Sequence, residues 1–179
     1  MSGPRNSLRQ QDIIFALKLV AIDESPQWNQ AQIAASLAIS PAEVAFALRR
    51  LRKHQLLGAE HYSVRRGALF EFLVHGLKYV FPAEIGRIAR GMPTGISHKI
   101  FNSHLRIPKD QAIVWPSPDG NVRGHALDPL YPTACYAAHQ DSALYRLLAL
   151  ADALRVGGAR ETGIASALLE KALLRKGAQ

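Results

Sequence analysis

Basic side chains collect in one part of the sequence, where their chemistry suits the binding of phosphate groups. They are Arg49, Arg50, Arg52, Lys53, Arg65 and Arg66. Over the whole chain, 22 lysines and arginines oppose 14 acidic residues, which leaves a net charge of +8. Such a surplus favours a polyanionic partner, because basic side chains release the counterions condensed on phosphates. Nucleic acid is therefore the first partner to consider.

Patterns that would indicate an enzyme or a metalloprotein are missing from the sequence. The seven histidines form no HExxH motif and no i, i+4 pair, and the sequence has no paired CxxC. We therefore expect no metal, no cofactor and no catalytic residues. Cys135 is the single cysteine, which excludes an intrachain disulfide and predicts a core residue. A basic segment remains that is either a solvated loop or a site for a phosphate ligand: Arg87, Arg90, His98, Lys99, His104 and Arg106.

The basic cluster follows a stretch, residues 29–51, that has the layout of a helix-turn-helix. A first helix is predicted from Asn29 to Leu37, and residues 38–40 form a short turn. A second helix then begins with strong signals, because Ser40 can cap it, Pro41 suits its first position and Glu43 completes a capping box. It is predicted to run to about His54. Its apolar positions are predicted to be buried, and all but Ala47 to meet the first helix: Val44, Ala47, Leu48 and Leu51.

With that stripe buried, the second helix turns its other residues outward. They are Ala42, Glu43, Ala45, Phe46, Arg49, Arg50 and Lys53. In this motif the N-terminal part of the second helix enters the major groove, while basic residues further along meet phosphates. We therefore expect residues 42–46 to face the bases and Arg49, Arg50 and Lys53 to contact the backbone. Arg65 and Arg66, just beyond the motif, are further candidates for phosphate contact.

Residues 8–63 resemble MarR-type and related winged-helix regulators. The resemblance implies that residues 41–54 form the recognition helix and that a small wing follows it, ending near Ser63. Three later phrases, residues 75–82, 90–94 and 148–155 (LALADALR), look like those of bacterial proteins described only as such regulators.

The sequence departs from this family at the tip of the second helix. Such regulators commonly place Ser, Thr, Arg, Asn or Gln where this chain has Ala42, Ala45 and Phe46. Direct reading of bases needs hydrogen-bond donors and acceptors. Glu43 could accept from a cytosine amino group, or it could serve only to cap the helix.

The remaining elements are predicted from periodicity and from Pro and Gly punctuation. We expect a helix from Leu8 to about Glu24, ended by Ser25-Pro26, and another at 64–80. The pattern of residues 82–112 predicts mostly loop with short helical pieces, followed by a hairpin of strands 113–115 and 122–126. Helices are predicted at 133–138, 141–156 and 161–175. The fold class is thus mainly α: an N-terminal winged helix-turn-helix (1–63) and a mostly helical C-terminal domain (64–179) with a small β-hairpin.

The function expected from the sequence is specific binding of double-stranded DNA by a cytoplasmic bacterial transcriptional repressor that works as a homodimer without membrane contact. The leucine-rich face of helix 141–156 is either its dimer seam or the core of its own domain: Leu144, Leu147, Leu148, Ala151 and Leu154. One alternative is a protein-interaction module with an antitoxin-like role, which holds an acidic partner through Phe46 and the basic flank. Another is an enzyme built on residues 82–127.

Overall fold

The computed structural model, which describes residues 7–22, 28–59 and 63–174, shows a mostly helical chain with one small three-stranded sheet. The helices are α1 (Gln10–Ala21), α2 (Gln30–Leu37), α3 (Pro41–Lys53), α4 (Arg66–Glu71), α5 (Leu77–Val80), α6 (Ala134–Gln140), α7 (Ser142–Val156) and α8 (Ala159–Leu173). A π-helical turn, Phe72–Gly76, joins α4 to α5. The strands are β1 (Ile85–Pro93), β2 (Ile113–Pro116) and β3 (Val122–Leu127). The mainly α class is confirmed.

The helices predicted from the sequence are present with small shifts at their ends. Helix α1 is shorter than predicted, and the Ser25-Pro26 break lies outside the described residues. Helices α2 and α3 begin after the predicted caps, Asn29 and Ser40. The predicted helix 64–80 starts at Arg66 and contains the π-helical turn. The three C-terminal helices agree with prediction, although the predicted end at Arg175 also lies outside the described residues.

Helix α1 is enclosed on every side. All ten residues from Gln11 to Val20 are buried, which is unusual for a helix that carries two charges. Helices α3 and α7 pack against it. A helix of this kind lies at the centre of a core, because a surface helix leaves one face to water.

Both charges of α1 are paired, each with a different part of the chain. The carboxylate of Asp12 accepts from Arg50 on α3, with Nη2–Oδ1 at 2.6 Å and Nε–Oδ2 at 2.7 Å. Lys18 Nζ lies 2.7 Å from Asp141 Oδ2, at the start of α7. Burial opposes ionisation of Asp141, but hydrogen bonds from Lys18 and from the backbone N–H groups of Leu144 and Ala143 outweigh it and lower its pKa. Helix α1 thus ties α3 to α7 through two ion pairs.

The segment that we predicted to be mostly loop contains the longest strand, so this prediction was wrong. Strand β1 pairs antiparallel with both β2 and β3, which pair with each other in parallel. The three strands therefore close on one another, and the predicted hairpin of the last two is replaced by this closed sheet. Short 3₁₀ turns fill the rest of the segment at 95–97, 99–101 and 109–111, as predicted for helical pieces.

The closed sheet requires glycine at two positions, Gly91 in β1 and Gly120 in the loop between β2 and β3. A Cβ at Gly91 would lie 2.0 Å from the carbonyl oxygen of Trp115. A Cβ at Gly120 would lie 2.2 Å from the carbonyl carbon of Gly91. Backbones approach so closely here that only a residue without a side chain fits. In the sequence, a glycine required by closely packed strands cannot be distinguished from a glycine in a flexible loop.

One hydrophobic core runs through the described parts of both halves of the chain. It includes residues of α1–α3 together with residues of α6–α8. The predicted boundary between residues 63 and 64 therefore falls between elements that share a core. The leucine-rich face of α7 lies inside this core, so it belongs to the core of its own chain and is not a dimer seam. Its buried residues are Leu144, Leu147, Leu148, Ala151 and Leu154.

The pairing of Asp12 with Arg50 leads to a prediction about stability. Arg50→Ala leaves the Asp12 carboxylate buried without its partner, which we expect to lower the free energy of unfolding by about 3 kcal/mol. Arg49→Ala, at the exposed neighbouring position, is the matched control and should change it by less than about 0.5 kcal/mol. Urea unfolding followed by circular dichroism measures both. Equal stability of the two variants would show that the pair does not hold α3 on α1.

Candidate nucleic-acid interface

Helices α2 and α3 are joined by the short turn of the predicted helix-turn-helix. The chain turns through 102° between them, within the range of about 90–120° that is typical of the motif. Ala38 ends α2 in the left-handed conformation, with φ of 50°. The backbone N–H of Ile39 then donates to the carbonyl of Ala34 at 3.0 Å. The predicted turn at 38–40 is confirmed.

The start of α3 is fixed by the capping box expected from the sequence. Glu43 N donates to Ser40 Oγ at 3.2 Å, and Ser40 N donates to Glu43 Oε2 at the same distance. The carboxylate of Glu43 is thus engaged in the cap. It also faces Tyr131, whose pKa is raised by burial and then by the charge of Glu43. These contacts favour capping over base reading as the role of Glu43.

A continuous stripe of α3 faces solvent. Its exposed members are Ala42, Ala45, Phe46, Arg49 and Lys53, at spacings that place them on one side of a helix. Phe46 is 48% exposed, and the guanidinium of Arg49 lies 5.2 Å from the centre of its ring. Glu43 is the single acidic residue in the described stretch 28–59. The outer face of α3 is therefore apolar at its start and basic towards its end.

Two of the predicted phosphate ligands are used inside the protein instead. Arg50 is 5% exposed and its guanidinium is committed to Asp12, so the prediction that it points outward was wrong. Arg66 is half-buried, and its Nη1 donates to the carbonyls of Leu173 at 3.1 Å and Ala172 at 3.5 Å, at the end of α8. Arg65 is exposed, and its Nη1 donates to Gln55 Oε1 at 3.2 Å. Arg65 therefore extends the basic surface beyond α3.

A short antiparallel pairing follows α3 where the sequence predicts a wing. Leu57 pairs with Val64, Gly58 N donates to Ser63 O at 2.8 Å, and Arg65 N donates to Leu56 O at 2.9 Å. Residues 60–62, which would form the tip, lie outside the described residues. The pairing places Arg65 next to the end of α3.

Sequence reasoning missed a buried polar cluster in the C-terminal half. Asp152, which is 1% exposed, accepts from Trp115 Nε1 at 2.6 Å, Thr94 Oγ1 at 2.8 Å and Arg155 Nη1 at 2.8 Å. Arg155 donates in turn to the carbonyls of Phe81 at 3.1 Å and Asp128 at 3.3 Å. The three phrases noted in the sequence thus meet at the ion pair of Asp152 with Arg155, since Thr94 contacts Asp152 and Phe81 contacts Arg155. The sequence did contain a sign of this cluster, because Asp152 and Arg155, three residues apart, interrupt the apolar sequence of α7.

Next to this cluster, His98 lines a cavity of about 440 Å³ together with Tyr145 and residues of the β2–β3 loop. The ring of His98 meets that of Tyr145 edge-on, with centroids 4.3 Å apart, and the Tyr145 hydroxyl donates to the carbonyl of Pro93. His98 Nδ1 accepts from the N–H of Ile100 at 3.1 Å. Burial, followed by the charges of Lys99 and Arg146, lowers the pKa of His98 to about 4. His98 is therefore neutral at physiological pH.

The described residues include no group of three His, Cys, Asp or Glu side chains placed to hold a metal ion. Cys135 is half-buried, and burial together with the charge of Asp152 raises the pKa of its thiol to about 11. A thiol with that pKa is a poor nucleophile at neutral pH. No single helix in the described ranges is long and apolar enough to cross a membrane. Helices α2 and α3 reach the length and apolar composition of a membrane span only when they are taken together, and the chain bends by 102° between them.

Comparison of the chain with models of known protein families, with curated proteins and with solved structures finds no match. The candidate interface therefore has to be judged on its own geometry and charge.

The lowered pKa of His98 leads to a prediction about pH. In the unfolded chain His98 takes up a proton near its ordinary value of 6.5, whereas in the native protein it does so near 4. Between these values the unfolded state binds more protons, so the free energy of unfolding falls as the pH falls, by about 3 kcal/mol from this residue.

Urea unfolding at a series of pH values, in the wild type and in His98→Gln, measures this contribution. We expect the wild type to lose stability more steeply than the variant between pH 6.5 and 4. Exposed His104, replaced in the same way, is the control and should leave the slope unchanged. Parallel pH profiles for wild type and His98→Gln would contradict the buried, neutral state of His98.

Proposed function

We propose that the protein binds double-stranded DNA through α3 and acts as a transcriptional regulator of winged-helix type. The observation that carries the proposal is the arrangement of α3. Its inner side is anchored to α1 through Arg50, and its outer stripe is open from Ala42 to Lys53. The 102° angle to α2 and the short pairing of Leu57 with Val64 support a helix-turn-helix followed by a small wing.

Charge supports a nucleic-acid partner for this surface. Arg49, Lys53 and Arg65 are exposed, and neither Arg49 nor Lys53 forms an ion pair with any described residue. Side chains of this kind neutralise phosphates on either side of a groove. We assign them to the DNA backbone, and the internal contacts of Arg50 and Arg66 remove those two residues from the set.

The tip of α3 supports reading of DNA by shape and by apolar contact. Ala42, Ala45 and Phe46 offer no side-chain donor or acceptor, and the carboxylate of Glu43 is held by Ser40. An alanine methyl or the phenyl ring can meet the methyl group of thymine. Sequence-dependent width and flexibility of the duplex would supply the remaining specificity.

The proposal includes a homodimer and a repressor role. Modules of this kind commonly read two half-sites one helical turn apart, about 34 Å, through the symmetry of a dimer. Because the leucine-rich face of α7 is buried in the core, the seam has to lie on another surface.

The DNA-binding proposal is tested with the double variant Arg49→Ala, Lys53→Ala. We expect weaker binding to any duplex and a salt dependence whose logarithmic slope is smaller by about two, one for each phosphate that the variant no longer neutralises. Fluorescence anisotropy with a labelled random duplex, measured over a range of salt concentrations, gives the slope.

The matched control is Arg160→Ala, Lys171→Ala, which removes the same charge from exposed positions on α8. It should leave the slope at the wild-type value. An equal change in both double variants would mean that net charge alone drives binding, and no change in either would exclude α3 as the contact.

A protein-interaction module is the second candidate, and the exposure of Phe46 favours it. A ring that is half exposed and covered by an arginine is a typical anchor for a protein partner. The acidic partner would then meet Arg49 and Lys53. Under this alternative the folded wild-type protein fails to bind random duplex DNA even at low salt.

A further inference from the structure

We propose that two copies of the chain meet edge to edge along β1, with the apolar end of α5 beside the contact. This seam rests on the homodimer of the proposed function and deepens it, because it names the surface through which the copies bind. It includes no residue of α3, so dimer formation and DNA contact can be measured separately.

Exposed apolar side chains are concentrated in one short stretch, residues 79–88. Seven large hydrophobic side chains are exposed among the described residues, and four of them lie in this stretch: Tyr79, Val80, Ile85 and Ile88. Helix α5 ends at Val80 and β1 begins at Ile85, so their Cα atoms are at most about 18 Å apart. Exposed apolar residues that cluster in this way mark an interaction site, whereas single scattered ones are ordinary.

The edge of β1 that faces away from β3 is open at Ile88, which is 56% exposed. Ile88 lies opposite His125 of β3, whose backbone N–H donates in the other direction, to the carbonyl of Ala112 at 2.7 Å. Opposite residues of an antiparallel pair either bond to each other or both face away, so the N–H and C=O of Ile88 point away from β3.

Strand β2 does not cover this edge. It pairs with the last three residues of β1 alone, and the loop that follows it reaches no further than Arg90, whose carbonyl accepts from Ser117 N at 3.1 Å. Within the described parts of the chain, the backbone of Ile88 therefore keeps a free donor and a free acceptor. An open strand edge of this kind is a template for pairing with another strand.

The charges along the edge favour a second copy as the occupant. Glu84 and Arg87 are both exposed, and neither forms an ion pair with a described residue. A partner of one charge would leave one of them facing a like charge, whereas a second copy in antiparallel orientation supplies both signs.

A two-fold axis at Ile88 satisfies both the hydrogen bonds and the charges. The two copies of Ile88 then exchange N–H to C=O hydrogen bonds in both directions. Arg87 lies opposite Ala89 of the other copy, so like charges do not face each other at the axis. Glu84 lies on the side of the axis where the other copy carries Arg90.

The apolar side chains are needed because the strand pairing is short. A bulge in β1 between Ile85 and Ile88 and the loop at Arg90 confine the pairing to residues around Ile88. Two hydrogen bonds that replace bonds to water add little net stability. Burial of Tyr79, Val80 and the two isoleucines supplies the remaining free energy of association.

Sedimentation equilibrium of the full chain from about 1 to about 100 μM measures the dissociation constant of the dimer. Ile88→Glu removes an apolar side chain from each copy and places two carboxylates face to face, and should raise this constant about thirtyfold or more. Leu174→Glu, at an exposed leucine after α8, is the matched control and should stay within about threefold of the wild type.

A disulfide tests the position of the two-fold axis. Cα atoms of a hydrogen-bonded antiparallel pair are about 5.5 Å apart, which a disulfide can span. In a Cys135→Ser background, we expect Ile88→Cys to form a covalently linked dimer in a glutathione redox buffer. Leu174→Cys in the same background should stay largely unlinked.

Circular dichroism confirms that each variant is folded before association is measured. A wild type that is monomeric over the whole concentration range overturns the seam, and so does an Ile88→Glu variant that associates as tightly as the wild type. Equal linking of Ile88→Cys and Leu174→Cys overturns it as well.

Binding of random duplex DNA at low salt separates this seam from the DNA contact. A monomer that still binds duplex through Arg49 and Lys53 overturns the seam alone. A dimer that Ile88→Glu dissociates, but that binds no duplex, supports the seam and overturns the DNA contact.

Discussion

The enclosure of α1 is the constraint on which the rest of the structure depends. A helix with ten consecutive buried residues must have both of its charges satisfied inside the protein, because an unpaired buried charge costs several kcal/mol. Asp12 is satisfied by Arg50 and Lys18 by Asp141. Each pair joins α1 to a different element, α3 on one side and the start of α7 on the other. The two halves of the chain are therefore aligned by charges on a single helix.

The pair with Arg50 also decides which residues of α3 meet the solvent. Rotation of α3 about its axis is limited once the guanidinium is held by two hydrogen bonds to Asp12. Arg49 and Lys53 then lie on the exposed side, along with Phe46. Residues that are adjacent in a basic cluster consequently have opposite roles: one arginine holds the helix in place, and its neighbour is free of ion pairs with described residues and available to a partner.

Helices α6 and α7 connect the cavity beside His98 to helices α1 and α2. His139 of α6 and Tyr145 of α7 line the cavity beside His98. Just before α6, Thr133 donates to the carbonyl of Leu37 at the end of α2, and Asp141 before α7 pairs with Lys18 of α1. Asp152, further along α7, accepts hydrogen bonds from Trp115 of β2 and from Thr94, the residue that follows β1. It thereby holds both strands against α7. The same two helices thus touch the cavity and hold the ends of α1 and α2.

The sequence by itself determined the elements whose causes are local. The caps at Asn29 and Ser40, the turn at 38–40 and the helices of the C-terminal third all follow from neighbouring residues and were predicted within a few positions. The outward positions of Phe46, Arg49 and Lys53 follow from helical periodicity and were predicted as well. The fate of Arg50 and Arg66 was decided by the tertiary structure, since their partners, Asp12 and the end of α8, are distant in the chain. Strand β1 was missed for the same reason: its hydrogen bonds and the close contact at Gly91 exist only once β2 and β3 are in place. The orphaned nitrogen of His98 belongs to this group too, because burial of a side chain is a property of the whole fold and not of its neighbours in sequence.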